Sequence, residues 1–428
     1  LCSNTTGLTN VAIGLTALND NTEGTNNIAI GCAALLDQTT GDNNVAIGVA
    51  TLSNNTTAND NTSVGSYSMI KNTTGTSNVA LGTNAMACNT TANDNTAVGA
   101  NALLTNTTGT RNTGIGTCAL NANTTASNNV AVGFCALDTN QTGTANVAVG
   151  SNALGVNTAS DNTAVGREAL GANTSGTCNV AVGCGALVTN TTANYNTAIG
   201  HNGLAANTTG CFNTAVGSQS LFTNTEGCMN TVMGNSALYT NTTGDCNTAL
   251  GSAALLSATT ADNNTAVGRS SLRSNTTGSE NTALGISSSY SNTTGTCNVA
   301  IGRNALYSTT TGYKNVSMGA AALYTNTEGY DNVAIGDTAL YLNTTGVENT
   351  AVGCGALYTN TTAHANTAIG RAALRLNTTG TKNVALGRNA LCANTTANCN
   401  VAVGWQTMCT NTEGHSNTAV GINALFAN

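Results

Sequence analysis

The chain has 428 residues, of which only 4% are aromatic and 7% are charged, and its formal net charge is −7. So few large side chains exclude a sizeable globular core, and 11 scattered Lys and Arg residues provide no basic stripe for a nucleic-acid backbone. There is no window of 18 apolar residues, so no membrane insertion is expected in this segment.

A short motif, Asn-[Thr/Val]-Ala-[Val/Ile]-Gly, recurs along the whole chain. It begins at Asn10 and returns every 17 residues, 25 times in all, with one spacing of 16 between Asn146 and Asn162. Such a period is typical of solenoids. We therefore predict an all-β fold, a parallel β-solenoid (β-roll) of about 25 coils, continuous over residues 1–428. Because the sequence begins and ends within a repeat, we expect an interior fragment of a longer fibre protein, without its caps.

Each coil is numbered here from the motif asparagine as position 1. Positions 2 to 4, as in Val11–Ile13, alternate with the period of a strand, and the apolar position 9 predicts a second short strand. Gly at position 5 and Gly or Ala at position 15 predict two corners. The asparagines at positions 1 and 12 are expected to form hydrogen-bonded ladders along the axis.

The pattern leaves two alternatives for which side chains of the strand point inward. In the first, positions 2, 4 and 9 point inward and the alanine at position 3 forms a flat outer stripe. In the inverse, the alanine row lies inside a very thin coil and the aliphatic row faces other chains. Both predict association of chains, because three aliphatic side chains per coil do not offset the conformational entropy of ordering 17 residues.

The motif resembles known fibre repeats. Asn129–Gly133 resembles the head repeats of trimeric autotransporter adhesins, and Asn332–Gly346 is similar to longer repeats in bacterial and viral tail-fibre-like proteins. The resemblance implies a left-handed β-roll, three-chain assembly and an extracellular, cell-surface or virion-surface location. The repeat here is longer than in the adhesin heads, and no membrane anchor, coiled-coil stalk or chaperone domain is seen in the sequence.

Most coils carry Asn-Thr-Thr at positions 12 to 14, which is also an acceptor pattern for N-glycosylation. The alternative interpretation is a turn with an asparagine ladder. The candidate glycosylation sites are Asn72, Asn106, Asn241, Asn292 and Asn377.

Cysteines and tyrosines form two further patterns. Cysteines that share a position in adjacent coils would lie about 5 Å apart, within disulfide range, or are simply small tolerated residues. A disulfide framework would indicate an oxidising, extracellular setting. The cysteine pairs are Cys118 with Cys135, Cys211 with Cys228, and Cys392 with Cys409.

Position 10 carries a run of five tyrosines that either stiffens the shaft by stacking or binds glycans or a neighbouring fibre. They are Tyr290, Tyr307, Tyr324, Tyr341 and Tyr358.

Nothing in the sequence indicates catalysis or a cofactor. The histidines His201, His364 and His415 are far apart, and the glutamates at position 14 lie in coils that are not neighbours. We predict a non-enzymatic structural fibre or filament shaft, with copies of itself as partners. The alternatives are an adhesin that binds surface glycans through exposed ladders, and an ice-binding β-solenoid with threonine rows at positions 2, 13 and 14.

Overall fold

Three-residue strands recur once per coil in the computed structural model, which describes residues 2–426. Contacts between Cα atoms divide the chain into two compact units, residues 1–212 and 213–428. The first unit contains β1 Val11–Ile13, β2 Ile28–Ile30, β3 Val45–Ile47, β4 Thr62–Val64, β5 Val79–Leu81, β6 Thr96–Val98, β7 Thr113–Ile115, β8 Val130–Val132, β9 Val147–Val149, β10 Thr163–Val165, β11 Val180–Val182 and β12 Thr197–Ile199. The second contains β13 Thr214–Val216, β14 Thr231–Met233, β15 Thr248–Leu250, β16 Thr265–Val267, β17 Thr282–Leu284, β18 Val299–Ile301, β19 Val316–Met318, β20 Val333–Ile335, β21 Thr350–Val352, β22 Thr367–Ile369, β23 Val384–Leu386, β24 Val401–Val403 and β25 Thr418–Val420.

Within each unit, every strand pairs in parallel with the strand of the next coil, at the same repeat position. In the second unit, for example, Val333 pairs with Thr350 and Ile335 with Val352. Equal positions therefore stack directly above one another. This confirms the predicted all-β, parallel β-solenoid with about 17 residues per turn.

The predicted second strand at position 9 is absent from residues 2–426, where positions 6 to 11 form consecutive turns instead. The backbone explains this difference. The leucine at position 9 has a positive φ, +49° at Leu18 and +51° at Leu340, and position 7 does too, with +53° at Thr338. Left-handed residues two apart prevent an extended strand. Each coil therefore has one strand, not two.

The interior of a coil is built from small side chains and one leucine. Ala334 at position 3, Ala339 at position 8 and Leu340 at position 9 are all fully buried. Val333 at position 2 is half-buried and Ile335 at position 4 is exposed. The first prediction, with positions 2 and 4 inward and position 3 outward, is therefore wrong, and the inverse burial is the one observed.

The narrow coil explains why alanine takes the inward position. At Gly114, which occupies position 3, an added Cβ would lie 3.2 Å from the carbonyl oxygen of Ala119 and 3.4 Å from Cγ of Leu103. A methyl group at position 3 would thus already touch the opposite wall of the coil. Alanine fits this space in most copies and Val232 fits it in β14, where it is 1% exposed, so position 3 holds a small side chain while positions 2 and 4 point outward.

The glycine at position 5 is required by both conformation and space. Gly31 has φ of +139°, and an added Cβ would lie 2.2 Å from the carbonyl oxygen of Gly48 in the next coil. No L-residue adopts this conformation without strain, and none would fit. The glycine therefore recurs in every copy because the stacking distance between coils demands it.

The 16-residue coil loses its residue from the turn and keeps its strand. Thr163 of β10 still pairs with Val147 of β9. Ala159 takes the place of position 15, and its carbonyl oxygen accepts hydrogen bonds from Nδ2 of Asn146 (2.8 Å) and of Asn157 (2.7 Å). The deletion therefore removes position 14, at the outer corner, and leaves the register intact.

Candidate functional site

Two asparagine ladders close the coils from inside. In the coil that starts at Asn61, the carbonyl oxygen of Gly75 accepts hydrogen bonds from Nδ2 of Asn61 (2.9 Å) and of Asn72 (3.0 Å). Between coils, Asn72 Nδ2 donates to Oδ1 of Asn55 (2.9 Å), and the backbone N–H of Asn78 donates to Oδ1 of Asn61 (3.0 Å). The two asparagines thus clamp the corner carbonyl and connect successive coils.

The candidate glycosylation sites all lie in the position 12 ladder and are fully buried. Each of their side-chain nitrogens donates both to the asparagine of the preceding coil and to the corner carbonyl. In Asn377 these bonds measure 3.0 Å to Oδ1 of Asn360 and 2.9 Å to the oxygen of Gly380. A sugar on Nδ2 would replace one of these two N–H donors at a fully buried nitrogen, so the ladder interpretation fits the geometry better and glycosylation remains a prediction. The five residues are Asn72, Asn106, Asn241, Asn292 and Asn377.

The five position 10 tyrosines stack in one column. Successive rings are nearly parallel, with centroids 5.0 to 5.2 Å apart from Tyr290 to Tyr358. Arg273 lies over the first ring at 5.7 Å and Arg375 over the last at 5.9 Å. Arg273 also donates to the hydroxyl of Tyr290 at 2.6 Å.

Most aromatic faces in this column are covered. The three middle rings have a ring on each side, and the two end rings each have one ring and one guanidinium. Sugars bind aromatic residues mainly through the ring face, so the geometry favours stiffening over glycan binding. Sequence reasoning missed three further stacked pairs, which are Tyr195 with Phe212, Phe222 with Tyr239, and Tyr313 with Tyr330.

Two of the cysteine pairs lie side by side as thiols. Cys118 is within hydrogen-bond reach of Cys135, and Cys409 of Cys392. Burial raises the pKa of the Cys135 thiol, and Asp138 and Cys118 add to this effect. Burial also raises the pKa of Cys392, with Cys409 adding to it and Arg375 opposing it. No disulfide joins either pair, so disulfide formation there remains a prediction.

The third cysteine pair is divided between the two units. Cys211 lies in the first and Cys228 in the second. Both residues are half-buried. Their linkage also remains a prediction.

The histidines are dispersed and exposed. Nδ1 of His364 accepts a hydrogen bond from the backbone N–H of Val347 (3.1 Å), and Nδ1 of His415 accepts from Asn398 (2.9 Å). These two rings therefore cap the backbone of the preceding coil. Within residues 2–426, no three His, Cys, Asp or Glu side chains are grouped to hold a metal ion. The same residues include no helix that is long and apolar enough to cross a membrane.

The coil surface has depressions, and two of them are formed by distinctive residues. The larger, about 660 Å³, lies in the first unit at the short coil, where Gly155 and Gly171 leave position 10 without side chains between Asp138 and Val188. The smaller, about 130 Å³, lies in the second unit and is lined by Arg371, Arg375 and the last tyrosine of the column. Sequence reasoning treated the basic residues as scattered and missed this second site.

The fold defines the class of this protein as a parallel β-solenoid of tandem repeats. A scan against protein-family models finds no match for the chain. A search of curated proteins also finds no significant similarity.

Proposed function

We propose that this chain is a structural, non-catalytic shaft segment of an extracellular or virion-surface fibre, formed by lateral association of copies of itself. The observation that carries the proposal is the outward aliphatic row at position 4. In the second unit Met233, Leu284 and Leu386 are 55%, 46% and 44% exposed. Rows of exposed apolar side chains are typical of surfaces that associate.

The polar groups of the coil support the same proposal. The asparagine ladders and the threonines at position 13 bond mainly to the neighbouring coil, as in the 3.1 Å bond from Oγ1 of Thr242 to the oxygen of Thr259. Each coil is therefore stabilised along the axis by its own chain, while the strand face stays available for another chain. The resemblance to adhesin heads and tail fibres suggests three chains side by side.

The test is the oligomeric state of the purified chain in analytical ultracentrifugation. Replacing Met233, Leu284 and Leu386 together by threonine should dissociate the assembly, because threonine is compatible with a strand and removes apolar area. The matched control replaces three exposed threonines at position 14 by serine and should leave the assembly intact. These are Thr243, Thr294 and Thr396. A wild-type chain that sediments as a monomer, or a triple variant that assembles normally, would contradict the proposal.

A second candidate function, ice binding, is favoured by the outward direction of position 2. Five successive coils of the second unit carry threonine there, namely Thr214, Thr231, Thr248, Thr265 and Thr282. Stacked in register, they form a regular hydroxyl row on the strand face. The position 13 threonines do not extend this array, since their hydroxyls bond to the backbone. A thermal hysteresis assay decides between the functions, because a shaft without ice affinity gives no hysteresis.

A further inference from the structure

The basic residues of this acidic chain are not evenly distributed. Between residues 349 and 412 there is no Asp or Glu, whereas Arg371, Arg375, Lys382 and Arg388 all lie in that segment. The segment therefore carries a local formal charge of +4, with His neutral, which favours anions.

Two of these arginines line one small cavity. Arg371 at position 6 and Arg375 at position 10 of the same coil border a space of about 130 Å³, together with Cys354, Gly355 and Tyr358. Arg375 lies against the Tyr358 ring, with its Cζ 5.9 Å from the ring centroid. At Gly355 an added Cβ would have no atom within 4 Å, so the glycine leaves open space on its side of the cavity.

Neither guanidinium has a carboxylate partner. The one ion pair among residues 2–426 joins Arg167 to Glu168 at 2.8 Å, in the other unit. Two like charges at one cavity repel each other, and a bound anion would remove that repulsion. Guanidinium groups present planar forks of N–H donors that match the oxygens of carboxylate, sulfate and phosphate.

We propose that this cavity binds one oxyanion group, a sulfate, phosphate or carboxylate, either as the free ion or carried by a larger anion. Arg371 and Arg375 supply the charge and the donors, and the tyrosine column holds Arg375 in place. The volume suits a single such group. The proposal does not depend on whether the chain assembles into a fibre.

The chain contains its own comparison for this site. Arg269 and Arg273 occupy the same positions 6 and 10 at the opposite end of the tyrosine column. There, however, Arg273 donates a 2.6 Å hydrogen bond to the hydroxyl of Tyr290. Glu280 lies at the end of the same coil. We therefore expect Arg269 and Arg273 to have no effect on binding at the cavity near Arg371, so this pair serves as the control.

Cys354 lines the cavity and is exposed, so its alkylation reports on the local charge. Cys32 is exposed at the same repeat position 6 and serves as the internal reference. The full chain is treated with negatively charged iodoacetate or neutral iodoacetamide, and the rate at each cysteine is followed by peptide mass spectrometry. We expect the iodoacetate-to-iodoacetamide rate ratio to be about fivefold higher at Cys354 than at Cys32.

Sodium sulfate at millimolar concentration, matched against sodium chloride of equal ionic strength, should suppress the iodoacetate reaction at Cys354 selectively. Protection by a sulfated oligosaccharide at much lower concentration would identify a group carried on a larger anion, whereas equal potency per sulfate would identify the free ion. Both results support the site.

The double variant Arg371→Gln, Arg375→Gln should lower the ratio at Cys354 to that of Cys32, while Arg269→Gln, Arg273→Gln leaves it unchanged. Circular dichroism confirms that each variant is folded. Equal ratios at the two cysteines of the wild-type chain, or no selective protection by either sulfate probe, would overturn the proposal.

Discussion

The asparagine ladder at position 12 allows a quantitative test of what holds the coils together. Asn343 is fully buried, and its Nδ2 donates to Oδ1 of Asn326 (2.8 Å) and to the oxygen of Gly346 (3.0 Å). Its own Oδ1 accepts from Nδ2 of Asn360 at 2.8 Å. The substitution Asn343→Ala removes all three bonds at once.

The partners left behind determine the size of the effect. Gly346 keeps a 2.8 Å bond from Asn332, and Asn360 keeps a 3.2 Å bond to Ala363, so both remain satisfied. The side-chain oxygen of Asn326 loses its donor inside the coil. Three net hydrogen bonds at about 1 kcal/mol each, with one buried acceptor orphaned, predict a loss of roughly 3 to 4 kcal/mol in the free energy of unfolding.

The assay is urea unfolding followed by circular dichroism, with hydrogen exchange to locate the weakened coils. Thr345→Ala, at the exposed position 14 of the same coil, is the matched control and should change stability by less than about 0.5 kcal/mol. Asn343→Asp should cost more than Asn343→Ala, because it places a charge among carbonyl oxygens. If Asn343→Ala were as mild as Thr345→Ala, the ladder would not be the main polar support of the fold.

Three further predictions concern the corner, the column and the thiols. Gly336→Ala should cost more than about 3 kcal/mol in a denaturant titration, because φ is +128° and the new Cβ would lie 2.7 Å from the carbonyl carbon of Gly353 in the next coil. Gly355→Ala is the control: the space around its Cβ is open, and it should cost less than about 1 kcal/mol. Tyr324→Leu should lose about 1 to 3 kcal/mol of thermal or denaturant stability, since two stacked contacts disappear. The pKa of Cys392 is raised in the folded chain above the usual thiol pKa of 9.0. Its protonated thiol therefore contributes fully to stability below pH 9.0, and this contribution is lost as the pH rises through the higher pKa of the folded chain. Cys392→Ser should therefore show a smaller fall in unfolding free energy above about pH 9 than the wild-type chain.

Much of the fold was predictable because each repeat position has a single physical role. The invariant glycine marks the corner at position 5, and the alternation around Ala334 correctly indicates the strand. Which face of that strand is buried was not predictable from the pattern, because alternation shows that the two faces differ without showing which one points inward. The deciding quantity is the width of the coil, which depends on how the turns after Gly336 fold back.

The absent second strand has a similar origin. Leucine is compatible with strands, and a buried leucine with a left-handed backbone has no signature in a single sequence. Leu340 adopts that conformation because stacking above and below fixes the turn. The tyrosine column was predictable from its spacing, whereas the arginine cavity was not, since it depends on the contact of Arg375 with Tyr358 and on the space that Arg371 and Arg375 both line.

The 16-residue coil shows where this architecture tolerates a change in length. Removing the residue at position 14 leaves the corner carbonyl of Ala159 bonded to both asparagines, so the change is confined to the outer turn. By the same geometry, added residues at that corner would project away from the coil without disturbing the ladders. Peptides grafted between positions 13 and 15 would then be displayed at regular spacing, one per coil. The chain would thus serve as a display scaffold.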